Sequence, residues 1–258
     1  FFLMRSPRVY RVVDDEGGLI YGPPFTDEQA GVVVEQPGTP AFVIHMGATK
    51  LREGEDGKLH EDGLAPFRSG WVLTGKNNGN ARGMLETTEG AWLAYDDLLI
   101  AEPRDDPSGY AAEGKKWIDI SIISQTLVMY EGAKPIYVTA ISTGRDGLGD
   151  PKTTHSTIRG TFKIREKHVT TTMDAHEVDN KFELRDVPWV EYFEAGYAIH
   201  AAPWHDEYGK PRSHGCINLS PIDARRLFMW TDPPLPADWH GVYSAEPTGE
   251  GTIVNIHP

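Results

Sequence analysis

Cys216 is the only cysteine in 258 residues, and it closes the run Arg212-Ser213-His214-Gly215-Cys216. A lone cysteine forms no disulfide within its own chain, so it is a buried filler, a metal ligand or a nucleophile. A nucleophilic cysteine attacks as thiolate, and a free thiol is mostly protonated at neutral pH. It therefore needs a base beside it and a group that holds the base. Two histidines qualify by position: His214, two residues back, and His200, sixteen residues back. In extended backbone, positions two apart share a face, so His214 can lie beside the thiol. If residues 196–200 form a strand paired with the cysteine's strand, His200 meets the thiol across the ladder. Gly215 lets a substrate approach the backbone closely. The N–H groups of Gly215 and Cys216 are then candidate donors to a developing oxyanion. Small and polar neighbours make poor core packing, which speaks against an inert buried thiol. His200, His205, His214 and Cys216 are the candidate metal ligands. Neither Cys-x-x-Cys nor His-Glu-x-x-His spacing is present, so no metal or other cofactor is expected.

The elements that must position these residues read mainly as strands. Residues 117–122 alternate apolar and polar at the strand period. Segments 125–130 and 135–142, joined by a turn at 131–134, complete a β-meander. Further strands are predicted at 161–165, 168–173, 190–194, 197–201 and 252–256. One helix is well signalled: Ser220 is an N-cap, Pro221 stands at N1 and Asp223 at N3. It offers Leu227, Phe228 and Trp230 for burial, and Asp232-Pro233-Pro234 stops it.

The front of the chain, 1–103, has short apolar runs at 31–34, 41–44, 70–73 and 91–95 separated by turn residues. That spacing predicts a small β-barrel or sandwich. Residues 86–98 resemble the last strands of bacterial Src-homology-3-like modules. The polar, glycine-rich stretch 52–63 reads as an exposed loop, and 104–114 as a linker. The catalytic part then spans 115–258. The fold class expected is mainly β: a barrel or sandwich with one or two short helices, behind a small β-barrel-like domain.

Composition narrows the function. Hydrophobic residues make up 39% and charged residues 24%, ordinary for a globular chain, and Gly 27 with Pro 19 favours turn-rich β structure. The formal charge is −13, and the first 114 residues carry 10 Lys+Arg against 19 Asp+Glu. An acidic chain without a basic patch is a poor partner for nucleic acid or an anionic membrane. The start, Phe1-Phe2-Leu3-Met4-Arg5, is too short and too soon charged for a signal or a membrane span. Because it opens on Phe, a trimmed N-terminus with a removed signal or anchor is expected.

His200, then a gap of twelve residues, then Ser213-His214-Gly215-Cys216-Ile217-Asn218 resembles the L,D-transpeptidase catalytic domain (YkuD-type). The family pattern is a His, a variable gap, then Ser/Thr-His-Gly-Cys, an apolar residue and Arg or Asn. The resemblance covers roughly 115–257 and includes Ile118-Asp119-Ile120 with Gln125, Ala140-Ile141-Ser142-Thr143-Gly144 and the closing 251–256. Two departures concern substrate detail. Thr157-Ile158-Arg159-Gly160 stands where the family has Thr-Pro-x-Gly, and an insert around 170–174 reads as a lid or hairpin.

The resemblance implies a cysteine acyltransferase that cross-links peptidoglycan. Cys216 would attack a tetrapeptide stem, release D-alanine and pass the acyl group to a second stem's amine. His200 would be the base, with its ring held by the carbonyl of Ala201. His214, Gly215 and Cys216 would supply backbone donors to the oxyanion, while Ser213 and Asn218 position the loop. Of the nearby aromatics Trp189, Tyr192, Tyr197 and Trp204, Tyr197 and Trp204 are the foremost candidates for groove walls, against a reading of all four as core. The partners implied are peptidoglycan stem peptides, met by a monomer in the periplasm or cell envelope. The alternatives are an L,D-carboxypeptidase using the same thiol and a non-catalytic wall-binding protein. His205, Asp206 and Glu207 read as a solvated turn, and His155, His168, His176, His240 and His257 as surface or structural residues.

Overall fold

The computed structural model describes residues 38–79, 83–101, 114–177, 180–244 and 251–258, together with 12–13, 19–20, 32–33, 104 and 109. In chain order the strands are β1 (Val12–Val13), β2 (Leu19–Ile20), β3 (Val32–Val33), β4 (Thr39–Val43), β5 (Thr49–Glu53), β6 (Leu59–Leu64), β7 (Gly70–Asn77), β8 (Met84–Thr87), β9 (Ala91–Ala94) and β10 (Leu98–Ile100). They continue as β11 (Lys116–Ser121), β12 (Thr126–Glu131), β13 (Lys134–Ala140), β14 (Gly160–Lys163), β15 (Glu166–Glu177), β16 (Asn180–Glu194), β17 (Tyr197–Ala201), β18 (Ile217–Leu219), β19 (Gly241–Tyr243) and β20 (Ile253–His257). Helix α1 (Pro221–Trp230) stands between β18 and β19. The chain forms two compact units, Phe1–Phe25 with Ile141–Pro258, and Thr26–Ala140.

In the unit Thr26–Ala140, seven strands order as β10-β4-β7-β8-β9-β5-β6. Their small and branched residues Ala41, Val43, Ala48, Ala65, Leu73, Leu93 and Leu98 make one buried cluster. The sheet runs from β10 at one edge to β6 at the other, so the small barrel expected of the front block does not close among the described residues. The stretch 52–63 is not a loop. Its two ends pair as the hairpin β5/β6, with Arg52 opposite His60 and Glu53 opposite Leu59. The turn is locked by Gly54 N–H to Lys58 O (2.9 Å). Its composition hides it because this edge hairpin shows polar side chains to solvent, tied by Arg52 Nε to Asp62 (3.0 Å). The meander is present as β11/β12/β13, with Trp117 stacked on Tyr130 at 4.1 Å and 10°. The predicted linker 104–114 lies almost entirely outside the described residues.

In the other unit, β18-β17-β16-β15-β19 form a five-stranded sheet. The long hairpin β15/β16 absorbs both the predicted strand 168–173 and the insert at 170–174. Helix α1 packs on β16 and β17. Ser220 caps it, accepting from Asp223 N–H (3.2 Å) and donating to the Asp223 carboxylate (2.7 Å). Asp223, Ala224, Leu227 and Phe228 form the buried face. Trp230 is only half-buried, since at about 100° per residue it sits some 200° round the axis from Phe228. Beyond the helix end, the fully buried Lys167 donates to the carbonyls of Phe228 (2.7 Å), Thr231 (2.8 Å) and Pro233 (3.0 Å). Positive charge belongs at that end of a helix. Among the described residues no helix is long and apolar enough to cross a membrane.

Candidate active site

Strand β17 carries His200, and β18 begins directly after Cys216. The two strands pair in parallel, with Ile199 opposite Ile217, His200 opposite Asn218 and Ala201 opposite Leu219. Paired residues share a face, and 216 and 218 are two apart, so the register turns Cys216 to the face of His200. His200 is 3% exposed. Its Nδ1 lies 2.9 Å from the carbonyl oxygen of Ala201. A carbonyl only accepts, so Nδ1 carries the proton and Nε2 keeps its lone pair. Burial pulls this imidazole down to about 4, partly opposed by the bond to Ala201. The Trp204 ring lies 5.8 Å from that of His200.

Cys216 is half-buried. Together with Tyr192 and Trp204 it packs on the cluster Met173, Val187, Val190 and Ala198. Burial lifts its thiol to about 11, and the backbone N–H of Ala198 works against that rise. Its Sγ is 3.8 Å from the carbonyl of Gly196. Thiol and imidazole are thus both driven toward their neutral forms.

The loop ahead of the thiol is held from two sides. Ser213 Oγ donates to the carbonyl of Cys216 and accepts from Gly215 N–H at 3.1 Å. Thr157 Oγ1 donates to the carbonyl of Gly215 and accepts from Gly144 N–H, both at 2.8 Å. Ser142 and Asn218 exchange backbone bonds at 2.9 Å. Gly215 has φ +125°, and a Cβ there would stand 2.9 Å from Tyr197 Cε1. Only glycine takes that backbone without strain, so the Tyr197 ring closes directly on the loop. Burial, with Cys216 and Asp150 nearby, raises the Tyr197 phenol. The Gly215 N–H is engaged by Ser213, so it must exchange partners before it serves an oxyanion.

The structure therefore gathers His200, Ala201, Ser213, Gly215, Cys216 and Asn218 with Tyr192, Tyr197 and Trp204. Trp189 lies elsewhere, with its ring 5.4 Å from Phe228 of α1. The ring of His214 is exposed, 4.8 Å from His155 and 3.4 Å from an Arg145 nitrogen. His205 is not part of a solvated turn. It is 4% exposed, 3.0 Å from the Asn218 amide and 5.0 Å from the Tyr208 ring. Its polar neighbours Asp206 and Glu207 masked that burial. Sequence assigns no role at the loop to Thr157 or Arg145, because they reach it from 58 and 69 residues away. Among the described residues no three His, Cys, Asp or Glu are grouped to hold a metal ion.

Residues 115–256 match the family model of the L,D-transpeptidase catalytic domain. Among solved structures, a mutant L,D-transpeptidase of Enterococcus faecium is similar at 22% identity, covering 55% of this chain and 50% of its own, with TM-score 0.42. L,D-transpeptidase 1 of Mycobacterium tuberculosis is similar at 21% identity, covering 55% and 61%, with TM-score 0.39. An L,D-transpeptidase of Mycobacterium smegmatis is similar at 17% identity, covering 93% and 89%, with TM-score 0.40. The match thus spans about half the length of the Enterococcus protein. No curated protein matches. The family match covers more than half of the chain and contains His200 and the Ser213–Cys216 loop, and on that match this chain belongs to the L,D-transpeptidase catalytic domain family.

Proposed function

We propose that the protein is an L,D-transpeptidase that cross-links peptidoglycan through an acyl-enzyme on Cys216, acting as a monomer in the periplasm or cell envelope. The observation that carries this is a lone, half-buried thiol that the β17/β18 register turns to the same sheet face as a buried imidazole whose Nδ1 is tied to Ala201. The catalytic domain is 115–258, preceded by a small β-module at 1–103 and a linker at 104–114.

With burial lifting the thiol to about 11 and pulling the imidazole down to about 4, a resting thiolate–imidazolium pair is disfavoured. Proton transfer from Sγ to His200 Nε2 is therefore coupled to attack on the stem carbonyl. The Sγ–C bond forms, the carbonyl oxygen gains charge, and N–H groups of His214, Gly215 and Cys216 receive it. His200 then returns the proton to the departing D-alanine nitrogen, leaving a thioester. An amine of a second stem attacks the thioester, gives its proton to His200 and frees Cys216. The walls Tyr192, Tyr197 and Trp204 exclude water and favour the amine.

Incubation with disaccharide-tetrapeptide tests this. The wild type is expected to release D-alanine and form cross-linked dimers, and Cys216→Ala to lose at least about a thousandfold of that activity. A carbapenem is expected to add one acyl mass to the wild type and none to Cys216→Ala. Tripeptide alone at high acceptor concentration would make the protein a hydrolase, and full activity in Cys216→Ala would end the thiol mechanism.

A further inference from the structure

Arg145 follows Gly144 on the turn that clamps the nucleophile loop. Its backbone N–H donates to the carbonyl of Ser213 at 2.9 Å. Gly144 is bridged to Ser213 as well, and its N–H is bonded to Thr157, which holds Gly215. A Cβ at Gly144 would stand 2.0 Å from the carbonyl of His155, so this turn lies flat against 155–157. The backbone of Arg145 is thus fixed to the loop of Cys216 by bonds on both sides.

The guanidinium is exposed, and the side chains nearest it are imidazoles. One terminal nitrogen is 3.4 Å from His214 Nε2, and the other is 3.1 and 3.3 Å from the two ring nitrogens of His155. Asp146 is the nearby carboxylate. It accepts from the His155 backbone N–H (2.7 Å) and lies 3.3 Å from His155 Nδ1. That contact assigns the Nδ1 proton, which leaves His155 Nε2 to accept from Arg145. Among the described residues no carboxylate lies within 4.0 Å of the Arg145 guanidinium. Two imidazoles therefore frame a fork of donors suited to a carboxylate, beside the nucleophile, in a chain of net charge −13. A cation held on the Ser213–Cys216 loop draws anions to a surface that otherwise repels them.

We propose that Arg145, framed by His155 and His214, is a subsite that grips a free carboxylate of the acyl-donor stem peptide. This rests on the stem-peptide reading above and adds to it a charge requirement in the donor. Cys216 and His200 carry the bond changes, while Arg145 holds the donor in register.

Release of D-alanine by wild type, Arg145→Gln and Arg145→Lys is measured on the free-acid tetrapeptide and on donors amidated at each carboxylate in turn. Arg145→Gln is expected to raise KM on the free acid about tenfold, with kcat moving less. Arg145→Lys recovers part of that loss, because it keeps the charge and loses the fork. One amidated donor is expected to give the wild type the same raised KM, with no further penalty from Arg145→Gln. An unchanged KM on the free acid overturns the subsite. So does an equal penalty on every donor, which is what a purely structural role would give. If the wild type releases no D-alanine from any donor, the stem-peptide reading fails and the subsite falls with it. Turnover with an absent or uniform penalty removes the subsite alone.

Discussion

At the candidate active site, burial presses both titratable groups toward neutrality: His200 down to about 4 and Cys216 up to about 11. At the end of helix α1 the same unit buries Lys167 and Glu191 with nitrogen and oxygen 3.9 Å apart and each side chain 1% exposed. There Lys167 spends its donors on three carbonyls, its nitrogen 4.6 Å from the centre of the Phe228 ring, and Thr231 donates to Glu191. One place keeps its imidazole and thiol neutral with only a few backbone groups beside them. The other saturates its ammonium with acceptors and so fixes three segments of chain. Burial alone does not mark a reactive site; burial with an incomplete set of partners does.

The largest test of that contrast is Lys167→Met. It strips three carbonyls of their donor and Glu191 of its nearby ammonium, and should destabilise the fold by about 3–5 kcal/mol in urea unfolding. Adding Glu191→Leu should recover much of this. A loss below about 1 kcal/mol would mean the helix-end cluster is no more tightly built than the site of His200 and Cys216.

Next in size is the pH dependence of stability, where the two places pull in opposite directions. His200 is lowered from 6.5 to about 4, so its contribution is present above pH 6.5 and is lost as pH falls toward 4. That loss approaches about 3 kcal/mol over the window. Burial raises Glu191 from 4.5 to about 7, against the pull of Lys167 and Thr231. Its contribution is therefore present below pH 4.5 and is lost as pH rises through 7. Urea midpoints measured from pH 4 to 8 should flatten on the acid side in His200→Gln and on the neutral side in Glu191→Gln. Parallel curves for both variants would erase the distinction.

The smallest expected effect is Gly215→Ala. A residue forced to hold φ +125° with its Cβ 2.9 Å from Tyr197 should cost about 1–3 kcal/mol of stability and swing the loop away from the thiol's working position. Thermal unfolding and acylation rate should fall together. Loss of stability with full acylation would show that the loop tolerates a shift.

Much of this could be read before the fold. Ser220-Pro221 located the start of the helix, because caps act through neighbours in sequence. The sixteen-residue interval between His200 and Cys216 survives as a strand pair for a similar reason, since each end is a short apolar run. What stayed hidden depends on distance or on solvated surfaces. Arg145 meets His214 across 69 residues, with no periodicity to announce it. Thr157 stands where the family pattern has its threonine, but nothing in the sequence shows that its hydroxyl bolts Gly144 to Gly215. The β5/β6 hairpin, half solvated, carries none of the apolar alternation that marked its neighbours.

The parallel pairing of β17 with β18 has an evolutionary consequence. Parallel neighbours require a crossover, and here it is the whole of 202–216, which carries Trp204, His205 and Tyr208 before reaching the thiol. Register is fixed by the strands at either end, while the length and sequence of the crossover are not. The Ser213–Cys216 loop is held by its own bonds, and His205 and Tyr208 by Asn218 and Ala202, so the exposed positions of the crossover are the ones that can change without disturbing the alignment of His200 with Asn218. Selection can act on those positions while the pairing of β17 with β18 stays put.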